Sequence, residues 1–199
     1  MFKDDVLFFQ RLLKVDGLYT KRLDGRWGEW TERAAQAFEQ QSDVIADDLG
    51  RFDFRSEENI RTLRLPAQTA ARRFLDRVLS AGINARIISG TRTYAEQNRL
   101  FNQGRYGNAG KIVTKARGGQ SNHNFGIAWD IGIFSDADGY ITKEPPYTEA
   151  ARAGMDTTLE WGGDWINFVD RPHYQLRLDI PLRIIRAKFE AGERYTTPV

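Results

Sequence analysis

The sequence predicts an α+β protein, with a small antiparallel sheet carrying helices mainly on one side and a small three-helix domain ahead of it. Three observations carry this reading. Apolar residues recur at helical spacing in several separate segments. Only the short stretches Ala85–Ser89, Ala128–Phe134 and His173–Leu178 have the β-branched or alternating character of strands. Charge is also uneven: residues 1–60 hold 9 basic and 13 acidic side chains, whereas residues 61–199 hold 20 and 14. That asymmetry supports a boundary near residue 60 and domains at 1–58 and 59–199.

Taken in order, residues 3–15 place Val6, Phe9, Leu12 and Leu13 at helical spacing, and Asp16-Gly17 ends that helix with a glycine suited to a left-handed cap. Asp24, Gly25 and Gly28 make a turn-rich loop around Trp27 and Trp30. Thr31 is the expected N-cap of a second helix reaching about Gln41, with Ala34, Ala35 and Phe38 inward. The polar, acidic stretch 42–58 predicts a short third helix or a linker. Pro66 suits the first turn of a helix whose apolar face is Phe74, Leu75, Val78 and Leu79, and Gly82 stops it. Ala85–Ser89 follows as a strand. Thr93 and Glu96 form a capping box for a helix ending at Gly104. Residues 104–122, rich in Gly, Asn and basic side chains, predict a long loop over one face, a kind of segment that often carries function. The Ala128–Phe134 strand sets Trp129, Ile131 and Ile133 on one face and Ala128, Asp130 and Gly132 on the other. Asp138-Gly139 is a turn, Thr148 to about Gly154 a short helix and His173–Leu178 a strand. Pro181 opens a last helix ending near Ala191.

Composition narrows the chemistry. Hydrophobic content of 41% with 28% charged residues is that of an ordinary globular chain. No run approaches the roughly 18–20 apolar residues that span a bilayer, so no membrane insertion is expected. The acidic start Met1–Asp5 and the short apolar Val6–Phe9 do not make a signal peptide, which predicts synthesis in the cytoplasm without an export address. With no cysteine, thiol catalysis, disulfides and cysteine-ligated metals are excluded. No basic cluster interleaved with aromatics points to nucleic acid, and a monomer is expected.

Both histidines and a concentration of carboxylates fall in two segments, Ser121 to Asp130 and Trp161 to His173. Catalytic zinc takes three N or O ligands and leaves a fourth position for water, and His123, Asp130 and His173 are able to supply those three. Asp170, three residues before His173, suits a general base beside the metal. Each residue also has a structural alternative. A lone histidine is more often a hydrogen-bonded structural residue, Asp170 an ordinary turn residue, and Asp130 a partner of Arg92 or Arg117.

The spacing Ser121-x-His123-x-x-Gly126-x-Ala128-x-Asp130, followed by Asp170-x-x-His173, resembles the zinc peptidase family of D-Ala-D-Ala carboxypeptidases, D-Ala-D-Ala dipeptidases and L-Ala-D-Glu endopeptidases. The resemblance spans about residues 60–180 and implies a Hedgehog/DD-peptidase-like fold. It implies one Zn2+ per chain on His123, Asp130 and His173, with Asp170 as catalytic base. Many members use glutamate as the base; aspartate is similar to the endopeptidase branch. Ser89-Gly90-x-Arg92 with Glu96-Gln97 also resembles the family, and implies that Arg92 stabilises the oxyanion. Ser121, Gln97 and Trp165 are the expected substrate contacts, Trp165 within a Trp161-Gly162-Gly163-Asp164-Trp165 element similar to that of the endopeptidases, phage lysins included. Residues 4–41, with Phe9-Gln10-x-Leu12-Leu13 and Asp24-Gly25-x-x-Gly28-x-x-Thr31, look like a small peptidoglycan-binding domain, in which Trp27 and Trp30 are candidates for contact with wall sugar.

The implied function is hydrolysis of peptidoglycan stem peptides, foremost at the L-Ala-D-Glu bond, by an enzyme of the phage or prophage endolysin kind acting on the wall after release. A D,D- or L,D-carboxypeptidase is the alternative, with Arg105, Lys111, Lys115 and Arg117 as possible grips for a free carboxylate. A non-catalytic wall-binding protein is the alternative of another class.

Overall fold

The computed structural model describes residues 6–135, 137, 139–142 and 145–196. Met1–Asp5 and Asp138 of the expected turn lie outside them. The elements run α1 (Val6–Val15), α2 (Glu29–Leu49), α3 (Phe54–Ile60), α4 (Leu65–Ser80), β1 (Ala85–Ser89), α5 (Tyr94–Asn102), β2 (Ala128–Phe134), β3 (Tyr140–Ile141), α6 (Pro146–Gly154), β4 (Leu159–Trp161), β5 (His173–Leu176) and α7 (Leu182–Ala191). The chain is thus α+β, as its pattern predicts. No helix among the described residues is long and apolar enough to cross a membrane.

The sheet is antiparallel throughout, in the order β1-β2-β5-β4, with β3 paired to β2. Alternation along the strands separates a dry face from a working face. Ile87, Trp129, Ile131, Tyr174 and Leu159 are buried in one apolar cluster with Phe74, Leu75 and Val78 of α4 and Ala150 of α6. Their strand neighbours Asp130, His173, Gln175 and Glu160 therefore share the opposite face, brought side by side by the pairs Asp130↔His173, Ala128↔Gln175 and Glu160↔Gln175.

Helix ends follow local chemistry. Gly17 and Gly192 adopt φ of +82° and +72° just past α1 and α7, the left-handed cap conformation that costs glycine little. Thr93 and Glu96 close a reciprocal capping box on α5. Two expectations in the N-terminal part are corrected. Gly28, not Thr31, caps α2, because the Thr31 hydroxyl accepts from the buried Gln10 amide at 3.1 Å. The helix also runs on to Leu49 instead of ending near Gln41, since Ser42 and Ala46 continue its buried face and Ser42 Oγ accepts from Gln68 at 2.9 Å.

α1 has two dry faces. Phe8, Leu12 and Val15 enter the core that lies beneath the sheet, whereas Phe9 and Leu13 pack with Tyr19, Ala34, Ala35 and Phe38 in a smaller cluster.

Candidate active site

The sheet supplies two of the chemically active side chains directly, Asp130 in β2 and His173 at the start of β5, set opposite each other by register. His123 comes from a single 3-10 turn, Asn122–Phe125, which Gly126 ends at φ +67°. A Cβ at Gly126 would lie 2.7 Å from Arg64 Cγ, so glycine meets both a backbone and a space requirement there. The turn is tied to the β1–α5 loop: Arg92 N donates to His123 O at 3.1 Å, and Asn124 Nδ2 donates to Arg92 O at 2.8 Å.

His123 Nε2, Asp130 Oδ1 and His173 Nδ1 form a triangle whose three edges are each 3.2 Å. A tetrahedral site with metal–ligand bonds of ~2.0–2.1 Å has ligand–ligand edges of roughly 3.3 Å. The three donors therefore stand at the spacing one divalent metal needs, and the donor set of two imidazoles and a carboxylate fits it.

The far nitrogens of both rings are engaged, which sets the tautomers. His123 Nδ1 donates to the Gly90 carbonyl at 2.7 Å. His173 Nε2 donates to Gln175 Oε1 at 2.9 Å. Gln175 is held in that orientation because its amide nitrogen donates to the Glu160 carboxylate at 3.1 Å, which can only accept. Asn122 Nδ2 also donates to Gln175 Oε1 at 2.6 Å, and Glu160 takes the Trp165 indole N–H at 2.8 Å. The lone pairs left on both histidines face into the triangle. Gln175 and Glu160 escape sequence reasoning; the alternation that puts Gln175 on the face of His173 was the available signal.

In the metal-free site burial opposes ionisation of Asp130, yet proton-bearing His123 and His173 hold its carboxyl well below the usual carboxylate range, and Asp130 in turn raises His173 against the effect of burial. Burial pushes His123 down, toward the neutral ring a metal needs. Arg92 Nη2 stands 2.6 Å from Asp130 Oδ2 and 3.2 Å from His123 Nε2. Its Nε donates to Ser89 Oγ and its Nη1 to Gln97 Oε1, each at 3.1 Å. Arg92 is thus Asp130's partner as well as a cation aimed at the cluster.

The cluster opens into a cavity of about 790 Å3 whose walls include Ser121, Trp165 and Asp170. Burial, then the nearby Asp130 charge, raises the Asp170 carboxyl above the ordinary range. Its backbone is pinned from both sides: Asp170 N donates to Gly162 O at 2.9 Å, and His173 N donates to Asp170 O at 3.2 Å. Gly162 has no room for a side chain, since a Cβ would lie 2.4 Å from Asp170 O and 3.1 Å from His173 Cβ. The Trp-Gly-Gly element is therefore the floor under the Asp170–His173 segment.

Gln97 is placed differently from the expected substrate contact. It is fully buried behind Arg92, with its amide nitrogen donating to Ala116 O at 2.9 Å, and is not among the residues lining the cavity. Trp27 and Trp30 also lie away from the cavity. Trp27 stacks on Phe9 at 5.4 Å between ring centroids, and Trp30 lies under Lys21 Nζ at 4.1 Å, each ring remaining about half exposed.

Residues 114–176 match the family described as D-alanyl-D-alanine carboxypeptidase. Over 104 residues the chain is 36% identical to the peptidoglycan L-alanyl-D-glutamate endopeptidase CwlK of Bacillus subtilis (strain 168), a match covering 48% of this chain and 62% of CwlK. The chain thus spans somewhat under two thirds of that relative's length. Among solved structures, the L-Ala D-Glu endopeptidase ChiX of Serratia marcescens is 25% identical, with a TM-score of 0.49, over 64% of this chain and 90% of ChiX. The segment that matches the carboxypeptidase family's model, residues 114–176, contains His123, Asp130, Asp170 and His173.

Proposed function

We propose that the protein is a zinc-dependent endopeptidase that hydrolyses the L-Ala-D-Glu bond of peptidoglycan stems. The observation that carries the endopeptidase reading is that walls of the cavity holding the His-Asp-His cluster also line two further cavities. The main cavity shares Ile88 and Arg92 with a cavity of about 320 Å3 beside α5. It shares Tyr140, Asp170 and Pro172 with another of about 310 Å3 beside β3. Concave surface beyond the cluster's own cavity supports binding of a chain on both sides of the scissile bond, which an endopeptidase requires and a carboxypeptidase does not. CwlK's activity, as its name states it, supports the same bond.

His123, Asp130 and His173 would hold the metal, which supplies a Lewis acid and lowers the pKa of its water to about 7. Asp170 takes the proton of the attacking water and delivers it to the leaving amine. Arg92 offers its guanidinium to the carbonyl oxygen as negative charge develops there. Trp165 and Ser121 form cleft walls against which the stem is oriented. Residues 1–58, with the half-exposed Trp27 and Trp30, are the wall-binding part, and the whole is an endolysin that meets its substrate after release.

Intact peptidoglycan incubated with the protein, with and without a chelator, tests this by mass spectrometry of the new ends. New N-terminal D-Glu that disappears on chelation and returns with zinc is the expected result. Loss of a single terminal D-Ala, or no cleavage at all, overturns it. A second expectation concerns the floor of the site. Gly162→Ala must shift Asp170 or His173, and misplacement on the ångström scale is expected to cost about 10²-fold in turnover with the fold retained. Turnover within twofold of wild type, with circular dichroism unchanged, would show that the contact at Gly162 does not position the site.

A further inference from the structure

We propose that Lys115 selects the substrate by gripping the free α-carboxylate of the γ-linked D-Glu on the leaving side of the scissile bond. The inference rests on the endopeptidase reading above and deepens it. In an L-Ala-γ-D-Glu stem the chain continues through the side-chain carboxyl, so an unpaired carboxylate hangs directly beside the bond to be cut. It must enter a cleft that already contains Asp130 and Asp170, and the attendant repulsion calls for a cation.

Four basic residues of the 104–122 loop are candidates, and the structure separates them. Arg105 is spent on the loop itself: it lies over the Phe101 ring at 4.2 Å, and its Nη2 donates to Thr114 O at 3.0 Å. Arg117 also stacks on Phe101, at 4.8 Å. Neither these two nor Lys111 lines the main cavity, whose only cations among the described residues are Arg92 and Lys115. Arg92, held by Asp130, Ser89 and Gln97, is already assigned to the carbonyl oxygen of the scissile bond.

Lys115 has no carboxylate or carbonyl partner among the described residues; its ammonium stands 5.4 Å from the centroid of the Phe168 ring. Phe168 belongs to the loop after the Trp-Gly-Gly element, so the ammonium reaches toward the segment that leads into Asp170. Two bonds hold the Lys115 region in place from below, Gln97 Nε2 to Ala116 O at 2.9 Å and Ala116 N to Thr114 Oγ1 at 3.2 Å. A cation held over the cleft without an anionic partner is suited to one brought by the substrate.

The test compares two synthetic stem peptides, L-Ala-γ-D-Glu-L-Lys and the same peptide with the α-carboxylate amidated, using the metal-loaded protein and its Lys115→Met and Lys115→Arg variants. Wild type is expected to favour the carboxylate peptide by roughly 10- to 100-fold in kcat/KM, the usual range for a charge-assisted hydrogen bond. K115M should lose that preference through KM, and K115R should restore most of it. Equilibrium binding of the carboxylate peptide to metal-free protein should weaken about tenfold in K115M, on the same principle. Equal cleavage of both peptides by wild type, or an unchanged preference in K115M, overturns the proposal while leaving the endopeptidase reading intact. Release of only a C-terminal residue, or cleavage of neither peptide, overturns that reading and the proposal with it.

Discussion

Replacing Asp170 with asparagine is expected to lower turnover on peptidoglycan by about 10²- to 10⁴-fold, the range that a positioned general base contributes, while the metal stays bound. The expectation follows from how the structure separates Asp170 from the cluster it serves. The donor triangle is complete without it, at 3.2 Å on every edge. Its own carboxylate accepts no hydrogen bond from protein among the described residues, so removing its charge leaves no donor stranded. Burial, then the Asp130 charge, raises its proton affinity above that of an ordinary carboxylate, the direction that favours proton transfer by a general base. Asparagine fills the same volume and keeps the backbone bonds to Gly162 O and from His173 N. Metal content by atomic emission and cleavage by mass spectrometry read the two roles separately. Full activity in D170N would mean that proton transfer is done elsewhere. Loss of the metal along with activity would mean that Asp170 is a ligand and not the base.

The residues that were legible in sequence are those whose partners are close along the chain. His123 and Asp130 are linked by one turn and the start of one strand, and Gly126 between them has a conformation that only a short list of residues adopts. Asp170 and His173 share one turn. What escaped are pairings made across strands. Glu160 meets Gln175 because β4 lies beside β5, yet β4 is three residues long and runs straight into a Trp-Gly-Gly turn, too short to show alternation. Gln97 read as a substrate contact because its neighbours Arg92 and Glu96 match a motif; that the same side chain faces inward behind Arg92 is a matter of how α5 docks. The length of α2 was hidden for a related reason. Ser42 reads as polar, and its buried partner Gln68 lies on another helix.

The same long-range logic predicts the largest effect on stability. Asp16, at the end of α1, and Arg64, before α4, are paired at 2.6 Å with side-chain exposures of 3% and 1%. Arg64 Nε also donates to Asp16 Oδ1 at 2.9 Å, its guanidinium lies 4.4 Å from the centroid of the Tyr195 ring, and Tyr195 OH donates to Phe125 O beside the His123 turn. The pair thus joins α1 to the C-terminal segment and to the backbone that carries a metal donor. Burial raises the Asp16 carboxyl even with Arg64 beside it, so desolvation consumes much of the attraction. Such a pair adds little net stability when intact, yet breaking it leaves a buried cation uncompensated. Asp16→Ala is therefore expected to cost about 3–5 kcal/mol, or a fall in Tm of roughly 6–20 °C for a chain of this size. Replacing both partners, as Asp16→Leu with Arg64→Met, removes the stranded charge along with the bond and should recover most of that loss. Thermal unfolding of the two variants beside wild type decides the matter. If D16A melts with wild type, the pair is not holding α1 to the core. If the double variant melts as low as D16A, the cost lies in lost geometry around Tyr195 and not in an unpaired charge.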